Sequence, residues 1–156
     1  MLDMFFAPQS VAVIGASRTP GKIGFGVLQN IVQHGYQGAI YPINPNADEI
    51  LGLKCYPRVG DVPGSIDLAL FAIPSEAVAK VLAECGEKGA RGAIVLSAGF
   101  REIGSQGWQR EHHLVDIAKE YGMRLIGPNC LGIIDTTIQL NASFASGMPR
   151  QGTIAF

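Results

Sequence analysis

Short, uninterrupted apolar runs alternate along this chain with stretches whose apolar residues recur every three or four positions. Val11-Ala12-Val13-Ile14-Gly15 reads as a buried strand. Across 22–34, Ile23, Val27 and Ile31, with Leu28 and Val32 beside them, form a helical stripe, and Gly35 ends it as a C-terminal cap does. Ala39-Ile40-Tyr41 is a second strand, closed by Pro42 and Pro45, and the run from Asp67 to Ile73 is a third. Ser75 is placed to cap the helix that follows, which carries Val78, Val81, Leu82 and Cys85 on one side and has Gly86 after it. Gly92 to Ser97 gives the next strand. Leu114, Ile117, Ala118 and Tyr121 give a further helical stripe ended by Gly122, and Arg124-Leu125-Ile126-Gly127 is the last clear strand.

The order is β-α-β, then β-α-β-α-β. The strands are continuously apolar rather than alternating, which predicts a sheet covered on both faces and therefore mostly parallel. The expected class is α/β: a Rossmann-like, doubly wound, mostly parallel sheet with helices on both faces. No internal repeat or low-complexity tract interrupts it. Residues 141–152 lack periodicity, and Thr153-Ile154-Ala155-Phe156 begins what reads as a new strand. The expectation is a domain over 1–142, then a linker and the first strand of a following, truncated domain over 143–156. A terminal edge strand is the alternative.

Composition narrows the function classes. Charged residues are 16% of the 156 and the net charge is −1, so no broad cationic field exists for nucleic acid, and any anion site must be local. Low charge beside 47% apolar residues also predicts large covered surfaces and leaves room for a partner or homo-oligomer face. No run approaches the ~18 apolar residues of a membrane span. The start, Met1-Leu2-Asp3-Met4-Phe5-Phe6, has an acid where a signal peptide carries bases. Cys55, Cys85 and Cys130 are far apart and form no C-x-x-C pair, which fits reduced thiols in a cytoplasmic protein. No metal-ligand set and no catalytic constellation stands out.

Ligands of open α/β sheets lie outside the carboxyl ends of the strands. The first such loop, Gly15 to Gly24, is glycine-rich and leads from strand into helix, so backbone N–H groups can face a phosphate. It is not a Walker A loop: the spacing from Gly15 to Gly21 is one residue too long, and Ile23 stands where Ser or Thr would hold magnesium. Nor is it G-x-G-x-x-G, because Ala16-Ser17 replaces the tight pair. Arg18 and Lys22 suit a bulkier or more highly charged phosphate group, although a glycine-rich turn with two solvated cations reads equally well. After the second strand, Tyr41-Pro42-Ile43-Asn44-Pro45-Asn46 offers neither the acid that binds an NAD ribose nor the arginine common for NADP. Ile73-Pro74-Ser75 and Ser97-Ala98-Gly99-Phe100 are small-residue turns over which a ligand can lie flat. In Gly127-Pro128-Asn129-Cys130-Leu131-Gly132, Asn129 can donate to and accept from a neutral amide, and Cys130 reads as a packed thiol. His34 sits at a helix end, and His112 and His113 lie on a helix with Trp108, so none has a glycine-rich loop around it.

Taken in order, VAVIGASRTPGKIG, YPINP, GLKCYP, DLALFAIP, ECGEKGARGAIVLSAGF and RLIGPNCLGIID resemble the CoA-binding domain of the ADP-forming acyl-CoA synthetases, in the succinyl-CoA synthetase superfamily. The resemblance spans about residues 5–142. It implies a nucleotide-binding site for CoA or acyl-CoA across the strand tips. Ser17, Arg18, Gly21, Lys22 and Gly24 would contact its phosphates, and Pro42, Asn44 and Pro45 would lie near the adenosine. Ile73 and Pro74 would pack against it, Ser97, Ala98 and Gly99 would line its path, and Asn129 would position the pantetheine arm. Relatives often carry a lysine after the Asn-Pro pair, where this chain has Asn46. The resemblance further implies an acid–thiol ligase whose phosphohistidine lies in a following ligase-like domain, with an ATP-grasp domain or subunit beyond, so that this segment alone binds CoA without turnover. The alternative it leaves is a CoA-binding regulatory module of a protein acetyltransferase, or a standalone CoA-binding protein. A weaker third reading is an NADP-dependent reductase.

Overall fold

The computed structural model describes residues 2–152, so the expected strand at 153–156 lies outside the described residues. A short helix α1 (Asp3–Phe6) precedes β1 (Ser10–Ile14), α2 (Ile23–Gln33) and β2 (Ala39–Ile43). A small antiparallel pair, β3 (Glu49–Ile50) and β4 (Leu53–Lys54), leads to β5 (Leu68–Phe71), α3 (Ser75–Glu87) and β6 (Gly92–Val95). Then come α4 (Ser105–Glu120), β7 (Arg124–Ile126) and a second hairpin, β8 (Gly132–Asp135) with β9 (Leu140–Ser143). Five strands form one sheet in the order β2-β1-β5-β6-β7, every pair parallel. The winding reverses between β1 and β5, and in such sheets the crevice at that reversal, at the carboxyl ends, is where ligands sit.

The uniformly apolar strands are explained by what covers them. Ala12, Ile14, Ala69, Phe71, Ala93 and Val95 face one core, with Val78, Leu82 and Cys85 of α3 and Leu114, Ile117 and Ala118 of α4. Their neighbours Val11, Val13, Leu68, Leu70, Ile94 and Leu96 face the other, with Val27, Leu28 and Ile31 of α2 and Phe5 of α1. Alternate side chains thus enter opposite cores, and each strand needs apolar residues at every position.

Four local details differ from the sequence reading. First, β2 continues through Pro42. The Pro42 carbonyl accepts the Tyr56 N–H on the outer edge, so its missing N–H also points outward and costs no bond to β1. Second, Ser75 does not cap α3: Pro74 holds the cap position, and the Ser75 hydroxyl lies 3.4 Å from Nη1 of Arg110 instead. Third, Gly86 does not end α3, which runs to Glu87 and turns at Gly89 (φ +85°). Gly86 marks the crossing of two helices, because a Cβ there would strike the Tyr121 ring at the end of α4. Fourth, Asn141–Ser143, inside the stretch read as aperiodic, belongs to β9 and is fully buried.

The β8–β9 hairpin puts Leu140 and Ala142 into the α2 core. Its buried side-chain polar atoms are all engaged. Asn141 Oδ1 accepts the Ser143 hydroxyl at 2.6 Å, and its Nδ2 donates to the Gly147 carbonyl at 2.7 Å. From α2, Asn30 Nδ2 donates to the carbonyls of Ser143 and Ala145, both at 2.8 Å. Burial without desolvation loss requires this pairing.

Gly86→Ala should destabilise the domain by about 1–3 kcal/mol through overpacking. Chemical denaturation measures it, and adding Tyr121→Ala should recover part of the loss. An unchanged midpoint in the single variant would mean the helices do not meet there.

Candidate functional site

At the reversal point the backbone of α2 comes very close to the end of β1. A Cβ on Gly24 would overlap the Gly15 carbonyl, and one on Gly15 (φ +84°) would overlap the Ala72 carbonyl at the end of β5. Gly21 has open space around it and owes its place to a left-handed φ of +85°. The loop between is fastened to the turn after β2. Gly15 N–H donates to Ile43 O at 3.0 Å. Asn44 Nδ2 donates to Ala16 O at 2.7 Å, and Arg18 Nη2 to Asn46 O at 3.1 Å. Asn44 Oδ1 accepts the Asn46 N–H at 2.8 Å, so both ends of this amide serve the loops. The Ser17 hydroxyl oxygen accepts the Thr19 N–H at 3.1 Å.

The remaining strand ends are fastened in the same way. Ala72 N–H donates to Ile14 O at 2.9 Å. The buried Ser97 hydroxyl donates to the Ile73 carbonyl, and the Ser97 carbonyl accepts the Asn129 N–H at 3.0 Å. Asn129 takes a left-handed φ of +53° after a cis Gly127–Pro128 bond, and Cys130 Sγ lies 3.4 Å from Val95 O. The ends of β2, β1, β5 and β6 and the turn after β7 are therefore joined side by side. Ser17, Arg18, Gly24, Asn44, Ile73, Ser97, Gly99 and Asn129 take part in bonds or close approaches along this edge. Gly21, Lys22, Pro45, Pro74 and Ala98 lie exposed on the same loops, while Pro42 is buried in β2.

The turn after β6 carries a carboxylate bonded to its own backbone. One Glu102 oxygen accepts the N–H groups of Gly99 and Phe100, at 2.5 and 3.2 Å, and these bonds hold its carboxyl below the usual range. Burial pushes the Cys130 thiol up, and Cys85, fully buried, is pushed up to about 12. Both thiols are protonated at neutral pH. His112 stacks on the exposed Trp108, with ring centroids 3.5 Å apart, far along α4 from any glycine-rich loop. Among the described residues no cluster could hold a metal ion. Two hollows stand off the strand tips. One lies between α3 and α4 around Phe100 and Arg110, and the other lies between Tyr36 and Ile138.

The sequence reading missed Glu102 and Arg110. Glu102 had a signal in its spacing: an acid three residues after Gly99, reaching back to that N–H as in the reciprocal half of a capping box. Arg110 had none, because only the fold brings it to Gly99.

The fold and this edge define a Rossmann-like α/β domain with a glycine-rich first loop at the sheet's reversal point. The chain belongs to the CoA binding domain family, whose pattern matches residues 9–136. It is 50% identical over 143 residues to an acetate–CoA ligase (ADP-forming) II of Archaeoglobus fulgidus, covering 92% of this chain and 21% of that protein. It is 46% identical to the acetate–CoA ligase (ADP-forming) II subunit alpha of Pyrococcus furiosus, covering 100% of this chain and 34% of that one. Among solved structures, the dinucleotide-forming acetyl-coenzyme A synthetase 1 of Ca. Korarchaeum cryptofilum, in complex with phosphate and ADP, superposes with a TM-score of 0.90. The identity there is 44%, over 94% of this chain and 31% of that chain. This chain thus spans about a fifth to a third of the length of these relatives. No helix among the described residues is long and apolar enough to cross a membrane.

The residues present fit the ligand of that family. The start of α2 has no side-chain cap, so its first N–H groups have no side-chain acceptor. Lys22, at its cap position, is exposed, and its ammonium makes no hydrogen bond or ion pair among the described residues. An uncapped helix start beside a cation is an anion site in its electrostatics.

The lowered Glu102 carboxyl carries a sign. Its bonds to the turn persist above the ordinary glutamate value and are lost only as pH falls through the lower one. The Gly99 amide resonance should titrate with a midpoint below the ~4.3 of a free glutamate. A midpoint at or above that value would show that the carboxylate does not accept from the turn.

Proposed function

We propose that this chain is the CoA-binding part of an ADP-forming acyl-CoA synthetase, a ligase that converts an acid, CoA and ATP to acyl-CoA, ADP and phosphate. The observation that carries this reading is the uncapped start of α2, pressed against Gly15 with Lys22 beside it. It stands in a chain that belongs to the CoA binding domain family. CoA supplies the thiol that takes the acyl group; the residues here bind and orient it. Ser17, Gly21 and Gly24 let backbone N–H groups reach the phosphates, with Arg18 and Lys22 as cations. Pro42, Asn44 and Pro45 shape the wall at the adenosine end. Because both ends of the Asn44 amide are bonded to the loops, its contribution is to hold them. Ile73 and Pro74 give an apolar contact. Ser97, Ala98 and Gly99 offer backbone along the ligand's path, since the Ser97 hydroxyl is already bonded to Ile73. Asn129 presents its amide toward the pantetheine arm.

No residue here acts on the reacting atoms in this reading. The phosphohistidine step belongs to a following ligase-like domain and the ATP chemistry to an ATP-grasp domain or subunit. The ligases named above are longer, and one is named as an alpha subunit. A cytoplasmic setting is supported by three free cysteines, of which Cys55 and Cys85 are buried.

Calorimetric titration of the chain with CoA, 3′-dephospho-CoA and NADP tests this. CoA should bind saturably and NADP should not. Lys22→Ala should weaken CoA about tenfold, the effect of losing one charge-assisted contact. A larger loss for CoA than for 3′-dephospho-CoA would place Lys22 on the 3′-phosphate, and equal losses would place it on the pyrophosphate. Silence toward CoA, or binding of NADP alone, would overturn the reading.

A further inference from the structure

The turn after β6 is held by side chains from outside itself. Gly99 sits at φ +104°, and a Cβ there would strike the Ser75 hydroxyl, so the turn passes tightly over the start of α3. Glu102 engages the Gly99 N–H, as described above. The Gly99 carbonyl accepts from Arg110 Nη1 at 3.2 Å, and the same nitrogen lies 3.4 Å from Ser75 Oγ and 3.2 Å from Glu76 Oε1. Arg110 thus joins three groups from two elements, with its side chain only 27% exposed. The next residue, Glu111, pairs with Arg101 of the same turn at 2.7 Å. Gly107 brings α4 so close that a Cβ would overlap the Phe100 carbonyl. Ala98, an exposed residue of this turn, has an N–H that makes no hydrogen bond among the described residues.

We infer that Arg110 is a positioning residue for the ligand: it fixes the Ser97–Phe100 turn in the form that presents the Ala98 N–H, and CoA affinity depends on it without contact. The inference rests on the reading that CoA lies along this edge. Physically, a turn freed from Arg110 samples other shapes, and apparent affinity falls by the fraction of molecules that keep the binding form. A planar guanidinium reaches several acceptors at once, whereas an ammonium is a single compact charge, so lysine should substitute only in part.

The test compares the chain with its Arg110→Gln and Arg110→Lys variants, by CoA titration well below the melting temperature and by amide exchange without ligand. CoA binding by the unaltered chain is the control, and its absence would count against the proposed function rather than against Arg110. Given that control, Arg110→Gln should weaken CoA about tenfold. Arg110→Lys should fall between. Faster exchange should be confined to Ala98, Gly99 and Phe100, with β5 and β6 unchanged. Unaltered affinity in both variants, or a loss accompanied by faster exchange through the whole sheet, would overturn the inference. If Arg110→Gln does not fold, Arg110→Lys decides by the same two readings.

Discussion

Where α2 begins, its backbone runs so close to the end of β1 that there is no room for a side chain at Gly24, and almost none at Gly15. This contact sets the rest of the carboxyl edge. It aims the first N–H groups of α2 along the crevice where the sheet reverses its winding. It also forces the intervening loop outward, over the turn after β2, where Asn44 and Arg18 fasten it. Any substituent at Gly24 would push the helix away from the strand and break both arrangements together.

The edge is built almost entirely from backbone, and its polar side chains work as fasteners. Asn44 and Ser97 each bond to the main chain of a neighbouring loop, and Glu102 bonds to the main chain of its own turn. Loops held in this way lose little freedom when a ligand arrives, which is the general advantage of a preorganised site. The thiol of Cys130, next to Asn129, likewise turns to main chain: it lies against the Val95 carbonyl, and burial keeps it protonated.

The five strands of the parallel sheet and the three long helices were legible because burial on both faces leaves an unmistakable record of unbroken apolar residues, whereas the small pairs β3–β4 and β8–β9 left none. Gly35 and Gly122 ended helices as read, since each takes a left-handed φ just past the last turn. Gly86 misled because a glycine demanded by a close neighbour cannot be told from one demanded by a turn without knowing that Tyr121 is there. β9 was missed because its buried residues include Asn141 and Ser143. These satisfy each other and the chain nearby, so burial left no apolar run. The loops of the candidate site were found by their glycines and prolines. Arg110 was not, because its partners lie 35 and 11 positions away in sequence.

The hairpin of β8 and β9 bears on how the chain acquires its structure. During synthesis the five sheet strands are all available once β7 has emerged, and α3 and α4 can close one face at that point. The other face is different. Val27, Leu28 and Ile31 share their core with Leu140 and Ala142, and Asn30 Nδ2 donates to the carbonyls of Ser143 and Ala145. A nascent chain stopped at β7 would hold every strand of the sheet and still expose an apolar flank on α2. The helix that begins at the carboxyl edge is thus secured from behind by residues that leave the ribosome only after every strand of the sheet.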